Sequence, residues 1–230
     1  MSPSREQRRR DVTQHILEIG RRHLAEQGAA ALSLRAVTRE LGMVSSAVYR
    51  YVDSRDELLT LLLVDAYTEQ ADAVDAAVSA AGEEPWHERA VVAGLAFRAW
   101  AVAEPARYAL LYGSPVPGYA APPERTTEPG TRVVRTLIGI LAEGVVRGEV
   151  SDEGPVPLPA GRLAADLSAV AAETGFPGGP AVMARGVAMW ATLVGATSLE
   201  VFGQYGAGTF TTPEALLEHQ LRLSDALMRG

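Results

Sequence analysis

The chain has no cysteine and no lysine. The first absence excludes disulfides, Cys-ligated zinc and thiol catalysis, and it suits a reducing cytoplasm, the expected location. The second removes every mechanism that needs an ε-amine: a Walker-A phosphate loop, a pyridoxal Schiff base, a Ser-x-x-Lys nucleophile. All 21 basic residues are Arg. Long apolar runs are missing too. One apolar run, Leu58 to Val64, is interrupted by Thr60 and stops at Asp65, short of the roughly 18 residues of a membrane span. No membrane partner is expected. The basic opening MSPSREQRRRD is followed by no apolar signal-peptide core, so export is not expected either. His15, His23, His87 and His219 are scattered, with no His-Glu-x-x-His and no paired-carboxylate helix motif. Asp72 and Asp75, and Glu83 and Glu84, read as solvated acids. No metal, cofactor or catalytic residue is expected, and a helical enzyme is the weaker reading.

What is present is enough for a sizeable core: 230 residues, 47% of them hydrophobic, well outside the composition of disordered chains. The net charge of −7 looks wrong for a nucleic-acid binder until it is divided. Through Glu57 there are 10 Arg against 8 acids; beyond it there are 11 Arg against 20 acids. A mildly basic head on an acidic body suggests that only the head meets phosphate.

The chain is organised around Leu32 to Leu58, LSLRAVTRELGMVSSAVYRYVDSRDEL. Leu34, Val37 and Leu41 recur at helical spacing, and Gly42 follows, where a left-handed residue ends a helix without steric cost. Ser45 or Ser46 can open a second helix, SSAVYRY, too short to stand alone and therefore packed on its neighbours through Val48 and Val52. Ser45, Ser46, Ala47, Tyr49, Arg50 and Tyr51 then include several outward positions. Asp53-Ser54-Arg55-Asp56-Glu57 reads as the start of a third helix, with Ser54 as cap and acids in the first turn. Two helices on a short turn, the second small, hydroxyl-rich and aromatic, fit a DNA-reading helix-turn-helix.

LSLRAVTREL-GMVSSAVYRYV-DSRDELL resembles the N-terminal signature of the TetR-type (tetracycline-repressor-like) transcriptional regulators over about residues 10 to 65. Three positions depart from it: Val44 where a Ser cap is usual, Tyr51 for His and Arg55 for Lys. The resemblance implies that Ser33 and Arg35 reach the groove edge and that Ser45, Ser46 and Ala47 face bases. It implies phosphate contacts for Tyr49, Tyr51 and Arg55, with Arg50 suited to either task.

Along the rest of the chain, residues 1–9 read as a flexible basic arm and about 11–26 as an amphipathic helix ending at Gln27-Gly28. His23, on the apolar edge of that helix, reads as a buried, hydrogen-bonded side chain. A helix from Ser54 to about Ala80 would link head and body. Helices follow near 85–103, 106–113, 131–147, 162–172, 181–202 and 213–229, with Pro- and Gly-rich loops at 114–130 and 151–159. The sequence predicts an all-α fold, a helix-turn-helix domain over 1–57 and a helical sensing and dimerisation domain over 58–230. The helix near 181–202 is apolar on more than one side, so it needs more than one partner. With 213–229 it is expected to form a two-fold, four-helix homodimer interface, as the resemblance also implies. PARYALLYGSPVPGYAAP and MWATLVGATSLEVFGQ resemble the sensing domain of a TetR subgroup bearing Trp-x-x-x-His-Gly; here Trp190 and Gly195 stand in place and Val194 replaces the His. Phe97, Trp100, Tyr108 and Tyr112, with Trp190, are the candidate walls of a pocket for a small-molecule effector, and Arg98 is the candidate partner for an acid on it. The resulting reading is a ligand-responsive regulator, a repressor, that binds a palindromic operator in double-stranded DNA as a homodimer. A helical adaptor that does not bind DNA is the remaining rival.

Overall fold

The computed structural model describes residues 4–153 and 157–229, with the side chains of residues 45, 46 and 229 outside that set. All regular structure among the described residues is helical. In chain order the helices are α1 (Arg5–Ala31), α2 (Leu34–Glu40), α3 (Ser45–Val48), α4 (Arg55–Ala81), α5 (Trp86–Ala103), α6 (Pro105–Tyr112), α7 (Pro123–Val146), α8 (Gly161–Thr174), α9 (Pro180–Val201) and α10 (Pro213–Arg229).

Two stretches differ from the sequence reading. The basic arm is helical from Arg5: Ser4 caps α1 by accepting the Gln7 N–H at 3.1 Å, and Arg10 pairs with Glu6 one turn earlier. An i,i+4 acid–base pair and a Ser cap outweigh the loss of chain entropy there. Similarly, α7 begins at Pro123, not after residue 130, and carries Pro129 inside it. Pro123 occupies the first helical position, where its missing N–H costs nothing. Gly130 lets this helix lie against the Tyr67 ring, since a Cβ there would come within 3.3 Å of it. Near the end of α1, Gly28 has φ 74° and interrupts the helical dihedrals where the sequence places its end.

Contacts group the chain into two compact units, Met1–Glu69 with Glu104–Gly130, and Gln70–Ala103 with Thr131–Gly230. The sequence places a boundary at 57/58. No break exists there, because α4 runs unbroken through 27 residues, about 40 Å at 1.5 Å per residue.

The core of the first unit joins Ile16 of α1, Val37 of α2, Val48 and Val52 around α3, and Leu58 and Leu62 of α4, each at most 1% exposed. Full burial of one such side chain is worth about 1.5–3 kcal/mol, which is what holds a helix as short as α3 in place. Leu110, Val116 and Tyr119 pack on the same core, so α6 and the segment after it belong to the head. Charges reinforce this. Arg107 of α6 is buried and pairs with Asp65 at 3.0 Å and Glu69 at 2.8 Å, and Arg21 of α1 donates to Asp65 at 2.8 Å. Thr60 and Tyr119 share a hydroxyl hydrogen bond of 3.0 Å, and Arg125 forms a two-pronged pair with Glu57.

In the second unit α9 packs on α5, α8 and α10. Arg98 of α5 is nearly buried and binds Glu200 of α9 at 2.7 Å and Glu214 of α10 at 3.0 Å. The Trp86 indole N–H donates to Glu149 at 2.7 Å, and Asp152 accepts the Ala181 and Val182 N–H groups that open α9. By length and composition α9 could cross a membrane, which the search for uninterrupted runs did not anticipate. Within this unit the same helix carries an ion pair to α5 and lies along three neighbours.

Candidate nucleic-acid interface and apolar cavity

The reading head is built as its spacing implies. Ser33 caps α2 by accepting the Ala36 N–H at 3.4 Å, and Leu34 and Val37 turn inward. Gly42 ends the α2 turn at φ 65°, a conformation that an L side chain rarely adopts. After the four residues of α3, the chain continues as tight turns: Tyr51 N–H donates to the Val48 carbonyl at 2.8 Å and Val52 N–H to the same carbonyl at 3.1 Å. The helix is therefore shorter than SSAVYRY, with Val48 and Val52 as its anchors. Ser54 caps α4 by accepting the Glu57 N–H at 3.0 Å.

Of the expected DNA contacts, Arg35, Tyr49 and Arg50 are exposed. Among the described residues, no side-chain hydrogen bond or ion pair holds any of the three. Ser33 and Ala47 are half-buried beside them. Ser45 and Ser46 lie on α3, but their side chains fall outside the described set. Tyr51 is half-buried and packs on the head core.

Arg55 is a correction. It is expected at a phosphate, yet its Nε donates to the Leu32 carbonyl at 3.0 Å and its Nη2 to the Ala29 and Ala30 carbonyls, both at 3.0 Å. These carbonyls lie at the end of α1, where helical N–H donors run out, and Ala29 also accepts the Leu32 N–H at 3.4 Å. The guanidinium ties the end of α1 to the start of α4. His23 is as expected: buried, with Nε2 2.8 Å from Glu40 Oε2.

Val44 was visible only as a departure from a cap residue. It stands just before α3 and is 73% exposed. An apolar side chain held in water at the start of a reading helix suits a thymine methyl group. The signal was its position, since nothing in a lone Val distinguishes a surface residue from a core one.

The expected effector residues are divided between the two units. Tyr108 and Tyr112 belong to the first unit, with ring centroids 4.9 Å apart. Burial pushes the Tyr112 phenol well above its ordinary pKa, and Tyr67 and Tyr108 add to this. Phe97, Arg98, Trp100 and Trp190 belong to the second unit. Arg98 is a further correction: its partners are Glu200 and Glu214, and the hydrogen bond to Glu200 is the largest effect holding the guanidinium pKa above its usual value. Phe97 is fully buried and meets Trp190 edge to face, centroids 5.6 Å apart. Trp190 in turn lines a cavity of about 110 Å³ between α7, α8 and α9, with Leu137, Ile138, Leu141, Phe176 and Met183 among its walls. No charged side chain lines it.

Comparison with known proteins gives two family matches. Residues 16–62 match the model described as bacterial regulatory proteins, tetR family, and residues 91–223 match the tetracyclin repressor-like C-terminal domain. The chain is 49% identical over 223 residues to the HTH-type transcriptional regulator Rv1816 of Mycobacterium tuberculosis, covering 96% of this chain and 93% of that protein. The solved structure of the regulatory protein SCO4313 is 32% identical, covers 96% of this chain and 98% of its own, and superposes with a TM-score of 0.77. A protein of unknown function from Rhodococcus sp. RHA1 shares the fold at 20% identity, with a TM-score of 0.71 over 94% of this chain and 95% of its own.

Proposed function

Since the chain belongs to the tetR family of bacterial regulatory proteins, and is thus a DNA-binding transcriptional regulator, we propose that it is a ligand-responsive repressor acting as a homodimer on a palindromic operator. The observation that carries the reading is the exposed set Arg35, Tyr49 and Arg50 held over the buried pair Val48 and Val52. Arg35 pairs with a guanine edge, Ser45, Ser46 and Ala47 face bases, and Val44 adds contact with a thymine methyl. Tyr49 and Arg50 hold phosphates, Ser33 supports the groove edge, and Tyr51 lends its hydroxyl from a packed ring. Arg55 positions this surface from behind.

Dimerisation is supported by α9 and α10. Val187, Ala191, Gly195, Leu199 and Phe202 form an exposed, apolar row along α9, and Leu223 and Leu227 lie exposed on α10. A Cβ on Gly195 would meet nothing within 4 Å in this chain, so its own protomer gives no reason for the gap; a helix of a second copy does. Two-fold pairing places the half-sites one helical turn apart, about 34–36 Å, or a multiple of it. An effector held in the second unit, on the side of Phe97 and Trp190, acts through α4, which contributes to both units. Effector and operator then weaken each other's binding by the same factor.

The salt dependence of operator binding tests the assignment. For Arg50→Ala the affinity should fall alike for all sequences, and the slope of log K against log salt should become shallower by about 1. An unchanged slope together with an altered base preference would move Arg50 from phosphate to base, and no salt dependence in the wild type would refute DNA binding by this surface.

A further inference from the structure

The cavity between α7, α8 and α9 takes Trp190 alone from the aromatic residues of the sequence reading, with Phe97 behind it, and its other walls are apolar. We propose that it is the effector site, and that it takes a small uncharged apolar molecule about the size of one aromatic ring. This rests on the ligand-responsive reading above and names the site and the ligand class.

Charge is the first constraint. The walls carry no ionisable side chain, and an ion entering them would lose its hydration without a partner. The candidate cation from the sequence, Arg98, is held by Glu200 and Glu214 and is not among the lining residues. Size is the second. At about 110 Å³ the space is below the roughly 300–1,000 Å³ of drug-sized sites. It is close to the scale of apolar cavities, about 150 Å³, that stay dry and accept benzene. Shape is the third. Phe176 and Trp190 offer ring surfaces, while Met183 and Met189 are unbranched side chains that adapt to an occupant.

Access and response follow from α8. Only Ala171 of its fourteen residues is buried, and Val170, which lines the cavity, is 43% exposed. A helix that buries so little is held weakly and opens at low cost. Inside, the Trp190 ring rests on Phe97 of α5, so an occupant that moves the indole also bears on α5.

Fluorobenzene, followed by fluorine NMR on the full-length protein, probes the site, with operator affinity measured on the same samples. Saturable binding displaced by toluene but not by benzoate or benzylamine is expected, with a lower operator affinity when the site is filled. Ile138→Phe and, separately, Val170→Trp, both at residues that line the cavity, should weaken binding by at least about tenfold, the scale on which a hydrophobic pocket discriminates, with no loss of thermal stability. No saturable binding, or equal binding by wild type and both variants, would overturn the proposal. Binding that leaves operator affinity untouched would overturn the effector assignment while leaving DNA binding intact. An operator-releasing molecule that acts equally on wild type and Val170→Trp would do the same to the cavity and keep the ligand-responsive reading. A wild type that binds no operator fails at that earlier reading instead.

Discussion

At the scale of single residues, Arg55 separates two roles that look alike in sequence. A cation at a helix start beside a reading helix suits a phosphate; the structure engages it with three carbonyls of residues 29, 30 and 32. Arg55→Ala should therefore lower stability by about 2 kcal/mol, since hydrogen bonds to charged groups are worth more than neutral ones. Lys should restore little of it, because an ammonium cannot reproduce a planar fork aimed at several acceptors. Urea unfolding measures the loss, and the salt slope of DNA binding should not move. A large drop in slope at wild-type stability would return Arg55 to the phosphate. The sequence could not decide this, because the acceptors lie 23 to 26 residues away and are backbone atoms that any residue supplies. What it did reveal were local requirements: a left-handed Gly42, a Ser54 hydroxyl three residues before an N–H, two Val four apart.

At the scale of elements, helix periodicity located most helices, while the start of α7 and the role of Arg98 escaped it. Pro123, Pro129 and Gly130 signal a loop when read alone. Tertiary contact reverses that signal, through Arg125 with Glu57 and Gly130 against Tyr67. Arg98 shows the same limit: its acids, Glu200 and Glu214, are more than a hundred residues distant. Its role is to fix α9 and α10 on α5. Arg98→Leu should cost about 3 kcal/mol, mostly from leaving Glu200 with an uncompensated charge in a largely buried place, and Arg98→Leu with Glu200→Leu should recover much of that. Thermal and urea unfolding of the two variants decide it. If Arg98 served a ligand instead, the single variant would keep its stability and lose only effector response.

At the scale of the whole molecule, the division of charge was legible, basic through Glu57 and acidic beyond; the division into units was not. Head and body share α4, and the head also recruits Glu104–Gly130, a segment whose membership depends on long-range packing of Leu110, Val116 and Tyr119. The apolar character of α9 on more than one side was legible too. Of the cavity only Trp190 was legible, because most of its walls are Leu, Ile, Val and Met, which in sequence look like any core. The central claim is that a dimer of these heads reads a two-fold operator. Selection from random duplexes at about 150 mM salt tests it most directly, with wild type, Arg35→Ala/Tyr49→Ala and Leu223→Glu side by side. Wild type should enrich one inverted repeat, the head variant should enrich none, and the α10 variant should lose the repeat as its self-association fails. Enrichment of the same inverted repeat by all three proteins, or no enrichment by a wild type with intact fold and no bound effector, would contradict it.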